Sequence, residues 1–490
     1  MGTFFDFDLT VMTRLPSLWA ALLHFALALF VSMHVVLRKR DPRSAVAWLG
    51  VIWLSPFVGA FLYYVLGINR ITRKASKLRP RGGGGDVNGR GFTPHAPGHG
   101  NDGISRFADR LHKYVNQLVP RPAVDGNQVD ILGGGEVAYP AMIEAINQAK
   151  TSIAMSSYIF DRGRIARDFI GALKLATARG VEVRVLVDAV GAHYTLPTVN
   201  SLFRKAGVRL RYFLPVIFPW QFGTTNLRNH RKVLIVDGWL AFTGGLNIRD
   251  RHDRRLSKIW SYVEDMHFRV AGPVVQQLQE VFVDDWNFAT GERLTGKRWF
   301  PGQYPSGGPS RCRAVADGPD ENFEKIKWIL QGAITKATER VWIVSPYFVP
   351  DSDLLASLKI AALSGVDVRI IVPRHNNIPF VQWASLALFP GLVDVGIKVY
   401  LSKPPFDHSK LMVADRDWSF IGSSNWDARS LRLNFELNVE VYDRELNRRL
   451  ADIFERKQEL SKQVDRIWFA KRKLWQRLRD NSARLLSPYL

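Results

Sequence analysis

Two stretches far apart in the chain follow one plan, and this doubling constrains the fold more than any other feature. Residues 229–237 read NHRKVLIVD and residues 407–415 read DHSKLMVAD, so His230, Lys232 and Asp237 recur as His408, Lys410 and Asp415 with the spacing His-x-Lys-x4-Asp. A matching succession of elements precedes each copy. In the first half SIAMSSYIF is followed by a helical run and then ARGVEVRVLVD; in the second, VWIVSPYFV leads through LLASLKIAALSGVDVRIIVP. Both read as strand, helix with apolar residues every three to four positions, glycine turn and buried β-branched strand. That is a βαβ unit with parallel strands. The motif itself, KVLIVDGWLAFTGG in the first copy, reads as an antiparallel hairpin, so each half is expected to hold a mixed sheet. Two similar halves with one motif apiece imply an α/β body with a pseudo-twofold, the motifs meeting at the interface.

Along a strand, residues i and i+2 point to the same side. His230 therefore shares a face with Lys232, and His408 with Lys410. Asp237 and Asp415 complete the repeated motif, but they sit near the turns, seven residues from their histidines. They are expected to be structural, fixing the turn or gripping the opposite half. Beyond the turns come GGLN, with Asn247, and GSSN, with Asn425. Small residues admit close backbone approach, and an asparagine amide donates to an oxyanion. Further on, Asp265 and Glu436 are carboxylates able to accept from one imidazole nitrogen and leave the other free to act. Asp265 is the carboxylate expected behind His230.

Brought together, two histidines, two lysines and two asparagines suit one tetrahedral phosphodiester. The lysines and asparagines hold the non-bridging oxygens, one imidazole attacks phosphorus, and the other protonates the leaving oxygen. This route uses no metal and no cofactor, and no Asp/Glu cluster is spaced to bind a metal. One copy of so short a motif carries a real false-positive risk. Two copies in matching contexts, each followed by a small pair and Asn, remove it.

The N-terminus bears on where such chemistry takes place. Residues 17–37 and 44–68 are two runs, 21 and 25 residues long, without a formal charge. Each is long enough to cross about 30 Å of hydrocarbon as a helix. Pro56 is placed to kink the second run, and a re-entrant hairpin is the alternative to two full crossings. A cleaved signal peptide fits poorly, because the first run is too long and a second follows it. Basic clusters flank both runs, and the expectation is a multi-pass protein of the cell (inner) membrane with a cytoplasmic catalytic region. Residues 79–103 are rich in Gly and Pro and read as a flexible linker; no Gly-Lys-Ser/Thr closes their glycine cluster into a phosphate loop.

The expected organisation is therefore a hydrophobic segment over 1–78, a linker over 79–103, a first half over 104–305, a second half over 306–443, and a basic amphipathic helical segment over 444–490. In that last segment Ile467, Ala470, Leu474, Leu478 and Leu485 share a face, with Trp468 and Trp475 beside it and Lys471, Arg472, Lys473, Arg477 and Arg479 around it. Two readings fit: an interfacial membrane contact, or a helix packed on the body with a solvated basic face. The chain carries 67 Lys+Arg against 45 Asp+Glu, a net charge of +22, which calls for a polyanionic partner, nucleic acid or anionic membrane. The hydrophobic runs favour membrane, and no nucleic-acid partner is expected. With one cysteine, Cys312, there is no intrachain disulfide and no cysteine zinc site.

HRKVLIVDGWLAFTGGLN and HSKLMVADRDWSFIGSSN resemble the paired HKD motifs of the phospholipase D superfamily. The hydrophobic hairpin, RNHRK, PYFVPD, DARSLRLNFE and the terminal LLSPYL resemble its bacterial cardiolipin synthase branch over nearly the whole chain. The resemblance implies two phospholipase D-like halves and phosphatidyl transfer through a phosphohistidine. His230 would attack one phosphatidylglycerol and His408 would protonate the departing glycerol. His408 would then activate a hydroxyl of a second phosphatidylglycerol. Lys232, Lys410, Asn247 and Asn425 would hold the phosphate, and Asp265 and Glu436 would orient the histidines. The first motif departs in having Gly-Gly where the second has Gly-Ser, which would leave one side better suited to donate a hydroxyl hydrogen bond to phosphate. A phospholipase D-type hydrolase, or a transferase using another alcohol or a CDP-diacylglycerol donor, would use the same residues. A nuclease of the superfamily is the more distant alternative.

Overall fold

The computed structural model describes residues 9–39, 42–67, 105–215, 227–304, 307–319 and 322–487. The chain divides into two compact units, residues 1–73 and 74–490. The linker read over 79–103 lies outside the described residues.

In the first unit, helix Leu9–Arg38 packs against Pro42–Leu54 and Pro56–Leu62, and a π-helical turn follows at Tyr63–Gly67. Proline has no N–H to continue the ladder, and the second run breaks at Ser55, just before Pro56. Gly59 lets the broken segment fold close: a Cβ there would lie 2.5 Å from the Val51 carbonyl oxygen. Ala28, Val35, Ile52 and Tyr63 form the small interior, while Phe30, Leu37 and Leu54 are 68%, 73% and 88% exposed. Among the described residues, no helix is long and apolar enough to cross a membrane. This leaves the two spanning helices expected from the sequence unconfirmed.

The second unit is α/β and contains the two expected mixed sheets. The first has seven strands, in the order Gln128–Gly133, His267–Ala271, Leu240–Gly244, Val233–Val236, Ser152–Ser157, Glu182–Asp188, Leu210–Phe213. The second repeats the core of that order with Asn434–Tyr442, Trp418–Gly422, Leu411–Ala414, Arg340–Val344, Asp367–Pro373 and Lys398–Ser402. The βαβ units are parallel as read, Ser152–Ser157 with Glu182–Asp188 and Arg340–Val344 with Asp367–Pro373. Each motif is an antiparallel hairpin. Val233–Val236 and Leu411–Ala414 are buried throughout, as strands covered on both faces must be.

The halves are less separate than the sequence boundaries imply. Helix Arg106–Leu118, grouped with the first half by sequence order, places Phe107, Leu111 and Val115 in the core of the second, beside Ile329 and Leu330. Strand Val124–Gly126 likewise pairs with Gly308–Asp317 of the second sheet. The C-terminal segment, expected to be helical, contributes strand Ser461–Val464 to the edge of that sheet. Isolated, its polar residues carry no strand signal; the open edge at Lys398–Ser402 supplies the pairing.

Asp237 and Asp415 are braces within their own halves. The Asp237 carboxylate accepts from the backbone N–H groups of Lys150, Thr151 and Ser152 at 2.7–3.2 Å. Asp415 accepts from those of Thr338, Glu339 and Arg340 at 2.8–3.2 Å. Both adopt positive φ, 53° and 45°. Each ties the hairpin turn to the start of the first strand of its own βαβ unit, away from the histidines, so neither joins the site or grips the opposite half. Asp415→Ala is expected to cost on the order of 3 kcal/mol by leaving these donors unpaired. It should lower the unfolding midpoint while turnover per folded molecule stays unchanged. Lost turnover without lost stability would assign Asp415 to the chemistry instead.

Candidate active site

Each histidine is delivered by a short strand docked onto the other half. Arg228–Asn229 pairs in parallel with Asn434–Phe435, and Phe406–Asp407 with Val263–Glu264. The pairing continues one residue further: His230 N–H donates to the Phe435 carbonyl (2.9 Å), and His408 N–H to that of Glu264 (2.7 Å). The next residue along each receiving strand is the carboxylate. His230 Nδ1 consequently meets Glu436 at 3.0 Å, and His408 Nδ1 meets Asp265 at 2.7 Å. Asp265 and Glu436 do face histidines, but crosswise. The expectation that Asp265 stands behind His230 is corrected, because sequence proximity within a half says nothing of partners across a twofold.

Ion pairs clamp both crossings. On one side Asp285 accepts from Arg231 (2.6 Å) and from the Asn229 amide (3.1 Å), and Arg231 also donates to the Glu436 carbonyl (3.0 Å). On the other, Lys457 bridges Asp407 (2.8 Å) and Glu264, the residues preceding His408 and Asp265.

Lys232 and Lys410 are buried, each donating to the carbonyl of its own histidine. Burial lowers both amines, Lys232 to about 7. Both histidines line one cavity of about 980 Å³ together with Asn247, Asn425, Tyr158, Tyr347, His252 and Arg429. The Asn247 amide oxygen accepts from Ile159 N–H at 3.1 Å. Asn425 donates to Ser430 Oγ at 3.2 Å, and its buried amide oxygen has no hydrogen-bond partner.

The Gly-Gly/Gly-Ser difference acts behind the histidines. Ser423 Oγ donates to Glu436, and its distance from the expected role of phosphate donor is a correction. At the equivalent Gly245 a Cβ would sit 2.0 Å from Asp265 Oδ1, so the glycine vacates the space that the carboxylate fills. Electrostatics differ accordingly. Burial raises Glu436, but the charges of His230 and Lys232 and the hydrogen bonds from His230 and Ser423 hold it below the ordinary glutamate value. Burial raises Asp265 outright. Burial lowers both histidines; Glu436 opposes this at His230, while the Lys410 charge drives His408 further down.

Sequence reasoning missed Tyr158 and Tyr347, whose rings stand edge-on to His230 and His408 at 5.1 and 5.9 Å between centroids. The available signal was a tyrosine at the matching place in SSYIF and SPYFV. His252, buried 6.2 Å from the His408 ring, had no such marker.

Comparison with known proteins identifies the family. The family described as "Cardiolipin synthase, PLD-like domain" matches residues 142–286 and 330–458, and "Phospholipase_D-nuclease N-terminal" matches 26–67. The chain belongs to this phospholipase D-like cardiolipin synthase family. It is 34% identical over 94% of its length to a cardiolipin synthase of Geobacillus sp. (strain WCH70), covering 92% of that protein. It is 33% identical over 94% of its length to cardiolipin synthase 2 of Staphylococcus epidermidis (strain ATCC 12228 / FDA PCI 1200), covering 95%. The fold is shared with phosphatidylserine synthase of Haemophilus influenzae Rd KW20 (TM-score 0.61, 15% identity, 78% of this chain and 99% of that one). The protein is thus an enzyme of the phospholipase D superfamily.

Two outcomes test the site. Gly245→Ser should displace Asp265 and reduce turnover at least about a hundredfold, whereas Ser423→Gly removes one hydrogen bond to Glu436 and should cost about tenfold; equal effects would refute the asymmetry. If Lys232 holds a substrate phosphate, it must be cationic to do so. With its amine at about 7 in the empty site, kcat/KM should fall as pH rises through about 7. A bound phosphate favours the cation, so kcat should fall only at higher pH. A kcat/KM flat to pH 9 would exclude Lys232 as a phosphate ligand.

Proposed function

We propose that this enzyme is a membrane-bound phosphatidyltransferase that makes cardiolipin from two phosphatidylglycerol molecules, with release of glycerol, through a phosphohistidine. The observation carrying the reading is the crossed pair His230–Glu436 and His408–Asp265 on one cavity, with Lys232 and Lys410 buried against the histidine carbonyls. The family's relatives named cardiolipin synthase, aligned over 94% of the chain, support the substrate. One imidazole attacks phosphorus with its Nε2 while its Nδ1–H is held by carboxylate. The P–O bond to glycerol breaks, and the second imidazole gives that oxygen its proton. The second imidazole then takes a proton from a hydroxyl of the next phosphatidylglycerol. That oxygen displaces the first imidazole, and the free enzyme is restored. Lys232, Lys410, Asn247 and Asn425 hold the phosphate oxygens, and the N-terminal unit anchors the enzyme in the cell membrane.

The resemblance assigns attack to His230 and proton donation to His408. A second reading has them exchanged, and one observation favours it: His408 is held neutral more strongly, whereas ionised Glu436 lies behind His230 and stabilises its imidazolium. Purified enzyme in detergent–lipid micelles with labelled phosphatidylglycerol should yield cardiolipin and free glycerol, with or without chelator. His230→Ala and His408→Ala should each abolish turnover. Enzyme quenched in denaturant at mildly alkaline pH and digested for mass analysis should carry the phosphatidyl group on one histidine, which decides between the two assignments. Phosphatidic acid as sole product would replace the transferase with a hydrolase, and cleavage of DNA without lipid turnover would sink the lipid reading.

A further inference from the structure

Helix Leu474–Leu485 is seated on the body by one side and leaves its apolar side bare. Ala483 is buried in a cluster with Val381 and Ala384 of helix Pro379–Leu388. Buried Asp480 accepts from Arg472 and Arg479, and the Arg479 guanidinium lies 4.7 Å from the Trp383 ring. At about 100° per residue, Leu474 stands half a turn from Ala483, with Leu478 and Leu485 on its side. These three leucines are 70%, 60% and 77% exposed, and Trp475 beside them is 56% exposed. A helix packed through its hydrophobic stripe would show the reverse. Lys471, Lys473, Arg477 and Arg484 are exposed around that stripe.

The seat of the helix adjoins the cavity. Val381 belongs both to the cluster that seats the helix and to the cavity wall. The cavity lining also includes Ile378, Ile259 and Trp260, which are 42%, 58% and 87% exposed.

We propose that this helix face and the cavity rim dock together on the surface of an anionic phospholipid bilayer. The leucines and Trp475 enter the interfacial layer, the basic side chains meet lipid phosphates, and headgroups reach the histidines without leaving the bilayer. The proposal rests on the phospholipid reading above. Charge selects the occupant: a second copy of a chain of net charge +22, presenting the same basic margin, would be repelled.

The test uses the full chain with Leu478→Cys carrying an environment-sensitive fluorophore, since Cys312, the only natural cysteine, is buried. In proteoliposomes rich in phosphatidylglycerol, the probe should shift to shorter wavelength and be quenched by brominated acyl chains. Arg416→Cys, at the exposed turn one strand-length from His408, should do neither. A Leu478→Cys probe matching that control overturns docking. So does a shift seen in lipid-free detergent that grows with protein concentration, which marks a second copy. Separately, Leu474→Glu combined with Leu478→Glu should lower turnover of bilayer phosphatidylglycerol about tenfold or more and leave monomeric short-chain phosphatidylglycerol unaffected. Equal loss on both substrates overturns docking. Wild-type inertness toward both would instead sink the phospholipid reading, with the fluorescence still reporting on docking.

Discussion

Every functional group in the cavity depends on two short parallel pairings, Arg228–Asn229 on Asn434–Phe435 and Phe406–Asp407 on Val263–Glu264. Each pairing carries a histidine from one half and sets it one residue along from a carboxylate of the other. Neither half holds a complete His–carboxylate pair. The ion pairs that clamp the crossings are Asp285–Arg231, buried, and Lys457–Asp407, largely so, and a shift of either half would leave charges unpaired as well as break the pairing. The interlocking of helix Arg106–Leu118 and strand Val124–Gly126 with the second sheet adds to the same constraint.

The pseudo-twofold is close in backbone and departs in chemistry. Gly244 opposes His267 as Gly422 opposes Asn438, and both glycines adopt φ near 150° (147° and 151°), a conformation that side chains resist. Behind the histidines the symmetry ends. A longer carboxylate with a serine hydroxyl on it stays ionised on one side, while a shorter carboxylate fits into the space of a missing side chain on the other. The two imidazoles therefore stand in different electrostatic surroundings.

Much of this was legible. The βαβ units and the first hairpin follow from apolar periodicity and an Asp-Gly turn, and the bracing role of Asp237 and Asp415 follows from their distance along the strand. Other features left no local trace. Ser461–Val464 has polar side chains and becomes a strand only because the edge of Lys398–Ser402 is open. Lys457, His252 and Arg429 look like ordinary polar residues of helices and loops until packing brings them to the crossing or the cavity. The apolar stripe on Leu474–Leu485 was visible, but its outward orientation was decided by where Ala483 and Asp480 seat the helix.

The sequence by itself determined the doubled α/β plan and the shared face of each His–Lys pair, because these depend on local periodicity and residue type. Tertiary structure alone decided which carboxylate serves which histidine. A strand can pair with any compatible edge, and no spacing within a half records that the edge chosen lies across the twofold. Glu436 serves His230 and Asp265 serves His408 for that reason.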